Sequence, residues 1–348
     1  MEGPPHVRKI LYGISPIGLG HATRSLVLWE RLRKEGVDVK LFSGGKAAEF
    51  ILSLGIPVED IVDDPVPTVV NGEMKRPALW YIRSWIALRR TIKRTERLFD
   101  MYLPDLVVCD EEFSGMVLAE RRGAKRAFIS DELMLGFGRT WLSRKIEARV
   151  DRWYKKLQGS VDLLIVPEFG KDLGNTRYVG PLVRSPTLAP GETRKKYGLP
   201  AGKMVLFSMS GSGIGDYLLR ETMQVIKSDT IPGAYLVVSG NRGPKVADSR
   251  VYDLGLVDDN QNLISSADLV VSTAGKSTID EAVSAGTPII TIPIKNHAEQ
   301  ERNAAALGYS YGSLADLPGL MKQKIGKREP SQDFRGGEIV SRLLISMM

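Results

Sequence analysis

A glycine-rich segment near the start of the chain carries the residue best suited to proton transfer. Gly18 and Gly20 precede His21, between a predicted strand and a predicted helix. Glycines let a ligand approach the backbone closely, and the first turn of a helix offers unpaired N–H groups to an anion. Because the positive end of a helix disfavours an imidazolium, we expect a neutral His21 that can accept a proton as a general base.

A second segment has the residue types that hold a diphosphate. It runs from Ser272 to Glu281 and contains Gly275-Lys-Ser, but a valine stands where a P-loop needs its first glycine. What remains is a turn of small residues that leads into a helix, with Ser277 and Thr278 at the helix start. The carboxylate of Glu281 could accept hydrogen bonds from ribose hydroxyls, or it could only compensate the charge of the helix end.

Two further polar segments are weaker indications of binding. Ser208–Asp216 is similar to a dinucleotide fingerprint, but an aspartate stands where the last glycine is required, which disfavours NAD. A turn that faces a phosphate is the alternative. Pro293–Ala304 is predicted to be a loop that runs into a helix, and its hydrogen-bonding side chains suit a polyhydroxylated ligand.

An acidic triplet, Asp110-Glu111-Glu112, follows a predicted strand. Sites in open parallel sheets form at the carboxyl ends of strands. The triplet could bind a metal, position an acceptor, supply a second carboxylate or form a solvated loop. No Asp-x-Asp pattern for a divalent cation stands at a strand end, so we predict no metal site.

These segments must be positioned by an alternation of strands and helices. Arg8–Ser15 is a predicted strand, and a predicted helix over His21–Lys34 follows it. Similar alternation resumes after the proline- and glycine-rich stretch Tyr178–Gly202, which predicts a join between domains. We therefore predict two doubly wound α/β domains, residues 1–183 and 184–348.

Composition limits the class of protein. Hydrophobic residues make up 43% of the 348 residues and charged residues 26%, which excludes a disordered or collagen-like chain. A single cysteine, Cys109, excludes internal disulfides and cysteine-based zinc cages. The apolar runs are too short to span a bilayer, and the first residues lack the apolar core of a signal peptide, so we expect a cytoplasmic chain.

Basic residues are locally concentrated, although the formal net charge is only +7. Lys75–Arg97 holds eight basic residues and one acid, and Arg121–Lys156 holds eleven and four. Such stretches suit an anionic substrate, an anionic membrane surface or RNA, and they could equally be solvated helix faces.

The first basic stretch is also predicted to be a helix with an apolar stripe. The stripe consists of Tyr81, Trp85, Leu88, Ile92 and Phe99. We expect it to pack into the core, whereas exposure of its aromatic residues would indicate a helix that rests on a membrane interface.

Taken in order, these segments resemble the GT-B glycosyltransferases, in particular family 28. The Gly18–His21 turn is similar to the family's N-terminal glycine-rich loop, and Tyr178–Arg184 to its crossover into the second domain. Ala267–Ala304 carries the strongest similarity, through its small-residue turn, Glu281 and the start of its last helix.

The resemblance implies an α/β GT-B fold, in which two Rossmann-like doubly wound domains face a central cleft. It implies metal-independent, inverting transfer of a sugar from a nucleotide diphosphate sugar, expected to be a UDP-sugar, to an acceptor hydroxyl. Domain 1–183 would take the acceptor, which the basic stretches would allow to be anionic or lipid-linked, and domain 184–348 would take the donor. The nucleotide sugar is then a co-substrate and no cofactor is expected. The partners would include the inner face of the cell membrane but no nucleic acid.

The resemblance also implies roles for individual residues. Donor contacts would come from Ser212 and Gly213 in the cleft, the Leu256 and Val257 backbone at the base, Gly275, Ser277 and Thr278 at the diphosphate, Glu281 at the ribose, and Glu299 with Gln300 at the sugar. On the acceptor side, the catalytic base His21 would be joined by Gly18, Gly20, Arg24 and Glu111.

Three other classes of protein stay open. Gly18–Arg24 also resembles the Gly-x-Gly-His segment and following arginine of the UDP-sugar hydrolases of pseudaminic acid synthesis, in which His21 would activate water. A non-catalytic nucleotide-sugar-binding protein would keep Ser277 and Glu281 and would not need His21. A nucleic-acid binder could use the basic stretches, but no RNA-binding motif accompanies them. The basic, aromatic stretch between residues 75 and 156 favours transfer, because it adds surface on the acceptor side.

Overall fold

The computed structural model describes residues 7–17, 19–63, 65, 68–70, 73–131, 141–209, 215–240 and 248–348. The strands are β1 (Lys9–Ile14), β2 (Asp38–Ser43), β3 (Val58–Asp60), β4 (Thr68–Val70), β5 (Glu73–Lys75), β6 (Leu106–Asp110), β7 (Lys125–Ile129), β8 (Leu163–Val166), β9 (Thr176–Tyr178), β10 (Lys203–Ser208), β11 (Ala234–Ser239), β12 (Val251–Gly255), β13 (Leu269–Ser272) and β14 (Ile289–Thr291). The helices are α1 (Gly20–Lys34), α2 (Gly45–Ser53), α3 (Pro77–Tyr102), α4 (Phe113–Arg122), α5 (Trp141–Ser160), α6 (Pro190–Lys196), α7 (Asp216–Lys227), α8 (Asn260–Ser266), α9 (Lys276–Ser284), α10 (Ala298–Ala306), α11 (Leu317–Lys324) and α12 (Gly336–Met347).

The chain forms two compact units. The first contains residues up to Pro67, Arg76–Leu182 and Phe334–Met348, and the second contains Thr68–Lys75 and Val183–Asp333. The predicted division places all of 184–348 in one domain, whereas in the structure α12 belongs to the first unit.

Helix α12 packs against α1, and its apolar side chains Val340 and Leu344 are fully buried there. An apolar stripe on a helix shows that one face is buried. It does not show which element covers that face, so the sequence could not assign α12 to the first unit.

The first unit is built on a seven-stranded parallel sheet in the order β3-β2-β1-β6-β7-β8-β9. Its central strands are almost continuously apolar, and all five residues of β6 are buried. Such strands belong to a sheet that helices cover on both faces. After β1, the chain adds β2 and then β3 on one side of β1. It then crosses back, and β6 pairs with β1 on the other side. This reversal leaves a crevice at the carboxyl ends of β1 and β6.

The second unit is built on a five-stranded parallel sheet in the order β12-β11-β10-β13-β14. Here the strand order reverses between β10 and β13, whose last residues Ser208 and Ser272 are in register. A separate apolar core fills this unit. The two parallel sheets confirm the predicted α/β class, and the predicted first strand, Arg8–Ser15, extends one residue beyond each end of β1.

Helix α3 buries most of the predicted stripe. Tyr81 and Phe99 are buried and Leu88 and Ile92 are partly buried, whereas Trp85 is 51% exposed. The same inward face also carries Thr91 and Thr95, whose hydroxyls have partners on neighbouring elements: Thr91 Oγ1 accepts from Asp63 N at 3.2 Å, and Thr95 Oγ1 lies 2.8 Å from Ser114 Oγ.

Among the helices that the structure describes, none is long and apolar enough to cross a membrane.

Candidate functional site

The first unit gathers polar side chains at the carboxyl edge of its sheet. Ile14 at the end of β1 is in register with Asp110 at the end of β6, and Asp131 follows β7 by two residues. Helix α1 begins at Gly20, directly after the β1 turn, so His21 and Arg24 lie in its first turns. The crevice predicted by the strand order is therefore lined by the ends of three strands and the start of one helix.

Asp110 is the centre of this cluster and is fully buried. Arg24 donates to both of its oxygens, from Nε at 2.7 Å and from Nη2 at 2.5 Å. Ser25 Oγ donates to Asp110 Oδ2 at 2.9 Å, and His21 Nδ1 lies 2.9 Å from Oδ1. Burial alone would raise the pKa of Asp110, but the charges and hydrogen bonds of Arg24 and His21 hold this pKa well below its usual range. Asp110 is thus a buried carboxylate that stays ionised.

The contact with Asp110 decides which nitrogen of His21 can react. Two groups lie at Nδ1: the Asp110 carboxylate, which only accepts, at 2.9 Å, and Arg24 Nη2, which only donates, at 3.1 Å. Arg24 Nη2 has its shorter contact with Asp110 Oδ1, so we assign the hydrogen of the neutral imidazole to Nδ1, which leaves Nε2 to accept a proton. The side chain of His21 is 20% exposed. Burial and the charge of Arg24 lower the pKa of His21, but Asp110 and Glu111 outweigh them and raise it above its ordinary value. The expected lowering by the helix end is therefore wrong in direction, because a carboxylate in direct contact acts more strongly than the helix charge.

Glu111 has a strained backbone beside this carboxylate. Its φ is 48°, in the left-handed region that side chains other than glycine rarely adopt, and such strain is typical of functional sites. Glu111 Oε1 accepts from Ser130 Oγ at 3.0 Å and from Tyr154 OH at 3.1 Å. Burial, aided by the charges of Asp131 and Asp110, raises the pKa of Glu111 to about 7. Glu111 can therefore exchange a proton near neutral pH.

Two other residues of the predicted glycine-rich and acidic segments, Glu112 and Gly20, have hydrogen-bond partners within the fold. Glu112 caps α4, where its carboxylate accepts from Ser114 N at 2.7 Å and Gly115 N at 2.9 Å. The carbonyl of Gly20 accepts from Thr23 Oγ1 at 3.0 Å. Gly18 lies outside the described residues.

Arg24 was predicted on the acceptor side, and the structure gives it different surroundings. It is 4% exposed, and its guanidinium contacts Asp110 and Asp131. A residue so enclosed acts on its neighbours and leaves little surface for an acceptor. Sequence reasoning missed Asp110 as the partner of His21 and missed Asp131 altogether. A signal for Asp131 was available in the sequence, since it directly follows the short, mainly apolar stretch Arg126–Ser130, and the carboxyl ends of parallel strands meet at one edge of a sheet.

The second unit brings the predicted diphosphate turn to the corresponding edge of its sheet. Helix α9 is capped by Gly275, with Ser277 and Thr278 half-buried in its first turn. The preceding Ala274 has a φ of 58°, and its carbonyl accepts from Asn303 Nδ2 at 3.2 Å. The turn is thus held in a left-handed conformation by α10, and it presents the N-terminal N–H groups of α9.

Glu281 is buried and already has a partner. Arg184 Nε donates to Glu281 Oε1 at 3.0 Å, and Arg184 Nη1 donates to Asp258 O at 2.9 Å. Asp258 comes directly after Leu256 and Val257, which are partly buried in the turn that follows β12. Arg184 therefore links Glu281, the predicted ribose ligand, to the turn that contains Leu256 and Val257, the predicted contacts of the base. The sequence alone did not indicate this link.

The start of α10 carries the residues predicted for the sugar. Gln300 Oε1 accepts from Ile294 N at 3.0 Å, which fixes the amide group and leaves Nε2 for other donations. Glu299 is partly buried beside it. His297 caps this helix through Nδ1, which lies 3.4 Å from Gln300 N, and burial lowers the pKa of His297 in keeping with a neutral acceptor. Ser212 and Gly213 lie outside the described residues.

Comparison with known proteins adds independent evidence. The glycosyl transferase family 1 profile matches residues 8–194, more than half of the chain, and the glycosyltransferase family 28 C-terminal domain profile matches residues 241–314. An uncharacterized glycosyltransferase of Methanosarcina acetivorans is 27% identical over 340 residues, which cover 86% of this chain and 83% of that protein. The UDP-N-acetylglucosamine–N-acetylmuramyl-(pentapeptide) pyrophosphoryl-undecaprenol N-acetylglucosamine transferase of an Exiguobacterium species is 26% identical over 304 residues, with coverage of 83% and 81%.

Solved structures show the same fold. The glycosyltransferase of kitacinnamycin superposes with a TM-score of 0.67 at 16% identity, covering 99% of this chain and 100% of that one. A glycosyltransferase of Streptomyces sp. SF2575, complexed with thymidine diphosphate, gives a TM-score of 0.61 at 16% identity, covering 98% and 95%. These likenesses confirm the predicted GT-B fold. The chain therefore belongs to glycosyl transferase family 1, carries a glycosyltransferase family 28 C-terminal domain, and is a glycosyltransferase of the GT-B type.

Proposed function

We propose that this glycosyltransferase moves a sugar from a UDP-sugar to an acceptor hydroxyl by direct, inverting displacement without a metal ion. The observation that carries the proposal is the contact of His21 Nδ1 with Asp110, which leaves Nε2 to accept the proton of the acceptor. As that hydroxyl oxygen bonds to the anomeric carbon, the bond from this carbon to the phosphate oxygen breaks and its electron pair leaves with the nucleoside diphosphate. A single displacement of this kind inverts the anomeric centre.

The start of α9 suits the leaving diphosphate. Its N–H groups, with Ser277 and Thr278, would stabilise the negative charge that grows on the phosphate as the bond breaks. This is the electrostatic work that a divalent cation would otherwise supply. Two of the similar proteins also support a nucleotide donor, because one is named as a transferase that uses UDP-N-acetylglucosamine and another was solved in complex with thymidine diphosphate.

The test is to incubate the protein with a panel of UDP- and TDP-sugars and to follow nucleotide release with and without candidate acceptor alcohols. Release that requires both a UDP-sugar and an acceptor, in a chelating buffer, supports the proposal, and NMR of the product gives the anomeric configuration. Release of similar rate in water alone would instead identify a hydrolase. Binding of nucleotide sugars without turnover would identify a non-catalytic protein.

Replacement of Glu281 tests the donor site. We expect Glu281→Gln to raise the donor KM by about tenfold with a smaller change in kcat. The variant loses a charge-assisted hydrogen bond to the ribose, and this bond stabilises the bound substrate and the transition state equally. Glu221→Gln is the matched control, since it removes an exposed glutamate from α7 of the same unit. An unchanged donor KM in the Glu281 variant, measured by initial rates, would argue against the ribose contact.

An exposed apolar patch on the first unit supports a peripheral membrane site for a lipid-linked acceptor. Leu79, Ile82 and Ile86 recur at the spacing of one helix face, Trp85 lies beside them, and all four are at least 40% exposed. Trp141, at the start of α5, is 70% exposed. Here and below, "membrane patch" means these five residues.

Basic side chains accompany the membrane patch. The guanidinium of Arg89 lies 5.5 Å from the ring centre of Trp85, and Lys145 Nζ lies 4.1 Å from that of Trp141. Tyr81 OH donates to Glu147 Oε1 at 2.9 Å, which joins the N-terminal halves of α3 and α5. Exposed apolar groups with nearby cations are the combination that binds an anionic bilayer surface.

We expect Trp85→Glu to weaken binding to phosphatidylglycerol-containing vesicles by about tenfold, because one large apolar side chain no longer enters the lipid. Cosedimentation measures this, with vesicles of phosphatidylcholine alone for comparison. Met101→Glu is the matched control, since Met101 is 77% exposed at the other end of the same helix. Equal losses in both variants, or no binding by the native protein, would contradict the membrane assignment.

A further inference from the structure

The guanidinium of Arg24 is shared between two carboxylates. Its Nε and Nη2 contact Asp110 at 2.7 and 2.5 Å, and its Nη1 contacts both oxygens of Asp131 at 2.8 and 3.0 Å. All three side chains are almost completely enclosed, with Asp110 at 0% exposure and the other two residues at 4%. A single buried cation therefore serves two buried anions.

This arrangement is more than an ion pair needs. One carboxylate would balance Arg24, and enclosing a second adds the cost of removing another charge from water. The excess negative charge lies where His21 contacts Asp110, and it would favour the imidazolium that forms when His21 accepts a proton. Clusters of this kind, in which enclosed charges act on one titrating group, are typical of functional sites.

We propose that Arg24 and Asp131 are positioning residues for His21. Arg24 holds Asp110 against Nδ1, and Asp131 draws part of the positive charge of Arg24 away, so that Asp110 acts on His21 with nearly its full negative charge. The inference rests on the proposed function, because it explains how His21 is oriented and strengthened as a base.

The charged groups that act on His21 come from three elements. Arg24 lies on α1, Asp110 and Glu111 lie at the end of β6, and Asp131 follows β7 and acts through Arg24. Glu111 itself changes charge near neutral pH, since its pKa is raised to about 7, chiefly by burial. The experiment is therefore also run with Glu111→Gln in place, so that only one group of the cluster titrates near neutrality.

The test is an NMR titration of the imidazole signals in the full-length protein labelled at histidine. The chain has three histidines, so His21→Ala assigns the His21 signal and His297, in the second unit, is the internal reference. Asp131→Asn removes a negative charge at nearly constant shape, and we expect it to lower the pKa of His21. Arg24→Gln removes the positive charge, and we expect the opposite shift. The signal of His297 should stay in place in both.

Opposite shifts distinguish this inference from simple loosening of the site, which would move both variants toward the ordinary histidine pKa. If Arg24→Gln does not fold, Asp131→Asn is compared with Asp131→Glu, which restores the negative charge. A return of the His21 pKa in Asp131→Glu assigns the shift to the charge, whereas an equal lowering in both variants assigns it to loosening and overturns the positioning role. In assays, Asp131→Asn should lower kcat about tenfold at neutral pH, move the acidic limb of the pH profile to lower pH with the His21 titration, and leave the donor KM unchanged. Shifts in the same direction, or no shift, overturn the positioning role. If the titration moves as stated while His21→Ala still transfers sugar, the proposed base fails and the positioning role stands.

Discussion

His21→Ala is expected to lower the kcat for sugar transfer by about 10²–10⁴-fold, the usual contribution of a positioned general base. The acceptor hydroxyl must lose its proton as it attacks the anomeric carbon, and without Nε2 only water could take it. Binding of the donor should be unaffected, because the donor residues proposed above lie in the second unit. Initial rates of UDP release in the presence of acceptor measure kcat, and calorimetry with UDP measures binding.

His6→Ala is the matched control for this variant, since it removes another of the three histidines and lies outside the described residues. His21→Asn adds a second comparison, because its amide nitrogen takes the position of Nδ1 and can donate to Asp110, but the side chain cannot accept a proton at neutral pH. Transfer at the native rate by either His21 variant would contradict the role of His21 as the base.

Asp110→Ala is expected to lower the free energy of unfolding of the first unit by about 3–5 kcal/mol, as for other buried ion pairs that lose one partner. The guanidinium of Arg24 would keep only Asp131, and Ser25 Oγ and His21 Nδ1 would lose their acceptor. All five tryptophans lie in the first unit, so fluorescence during urea denaturation reports on this unit. The same variant should also lose most of its transfer activity, because His21 is no longer oriented.

Asp100→Ala is the control for stability, since Asp100 forms a half-exposed ion pair with Arg122 in the same unit. Surface pairs contribute about 0–1 kcal/mol. A loss in the Asp110 variant no larger than that of the control would show that the cluster does not stabilise the fold.

The pH dependence follows from the pKa of Asp110, which lies below that of an unfolded aspartate because Arg24 and His21 outweigh the effect of burial. The stabilisation is complete above the unfolded pKa of about 3.9 and is lost as the pH falls through the lowered value. The native protein and Asp110→Ala should therefore differ fully at neutral pH, and the difference should shrink only in strong acid.

Sequence patterns sufficed for features that depend on neighbouring residues. The alternation of apolar strands with helices predicted the α/β class, and the first helix, predicted over His21–Lys34, begins one residue earlier in the structure and ends at the same residue. The glycine-rich turn before His21 and the small-residue turn at Gly275 were recognisable because each places a strand end beside a helix start. Local periodicity and turn chemistry act over a few residues, so they can be read along the chain.

Other features depended on packing that the periodicity does not reveal. Trp85 fits the apolar stripe of α3 as well as Tyr81 does, yet Trp85 is exposed, whereas Tyr81 is buried and donates to Glu147 on α5. Helix α12 has a clear apolar face, but only the packing shows that α1 covers it.

By itself, the sequence determined that the chain is an α/β protein with a histidine at the start of its first helix and a phosphate-type turn in its second half. Only the tertiary structure decided what surrounds that histidine. Asp110 lies 86 residues and Asp131 lies 107 residues along the chain from Arg24, and all three meet because β6 pairs with β1 and β7 pairs with β6. Strand order is set by the packing of the whole unit, which no local pattern encodes. The burial of Arg24 and the ionised state of Asp110 follow from that packing.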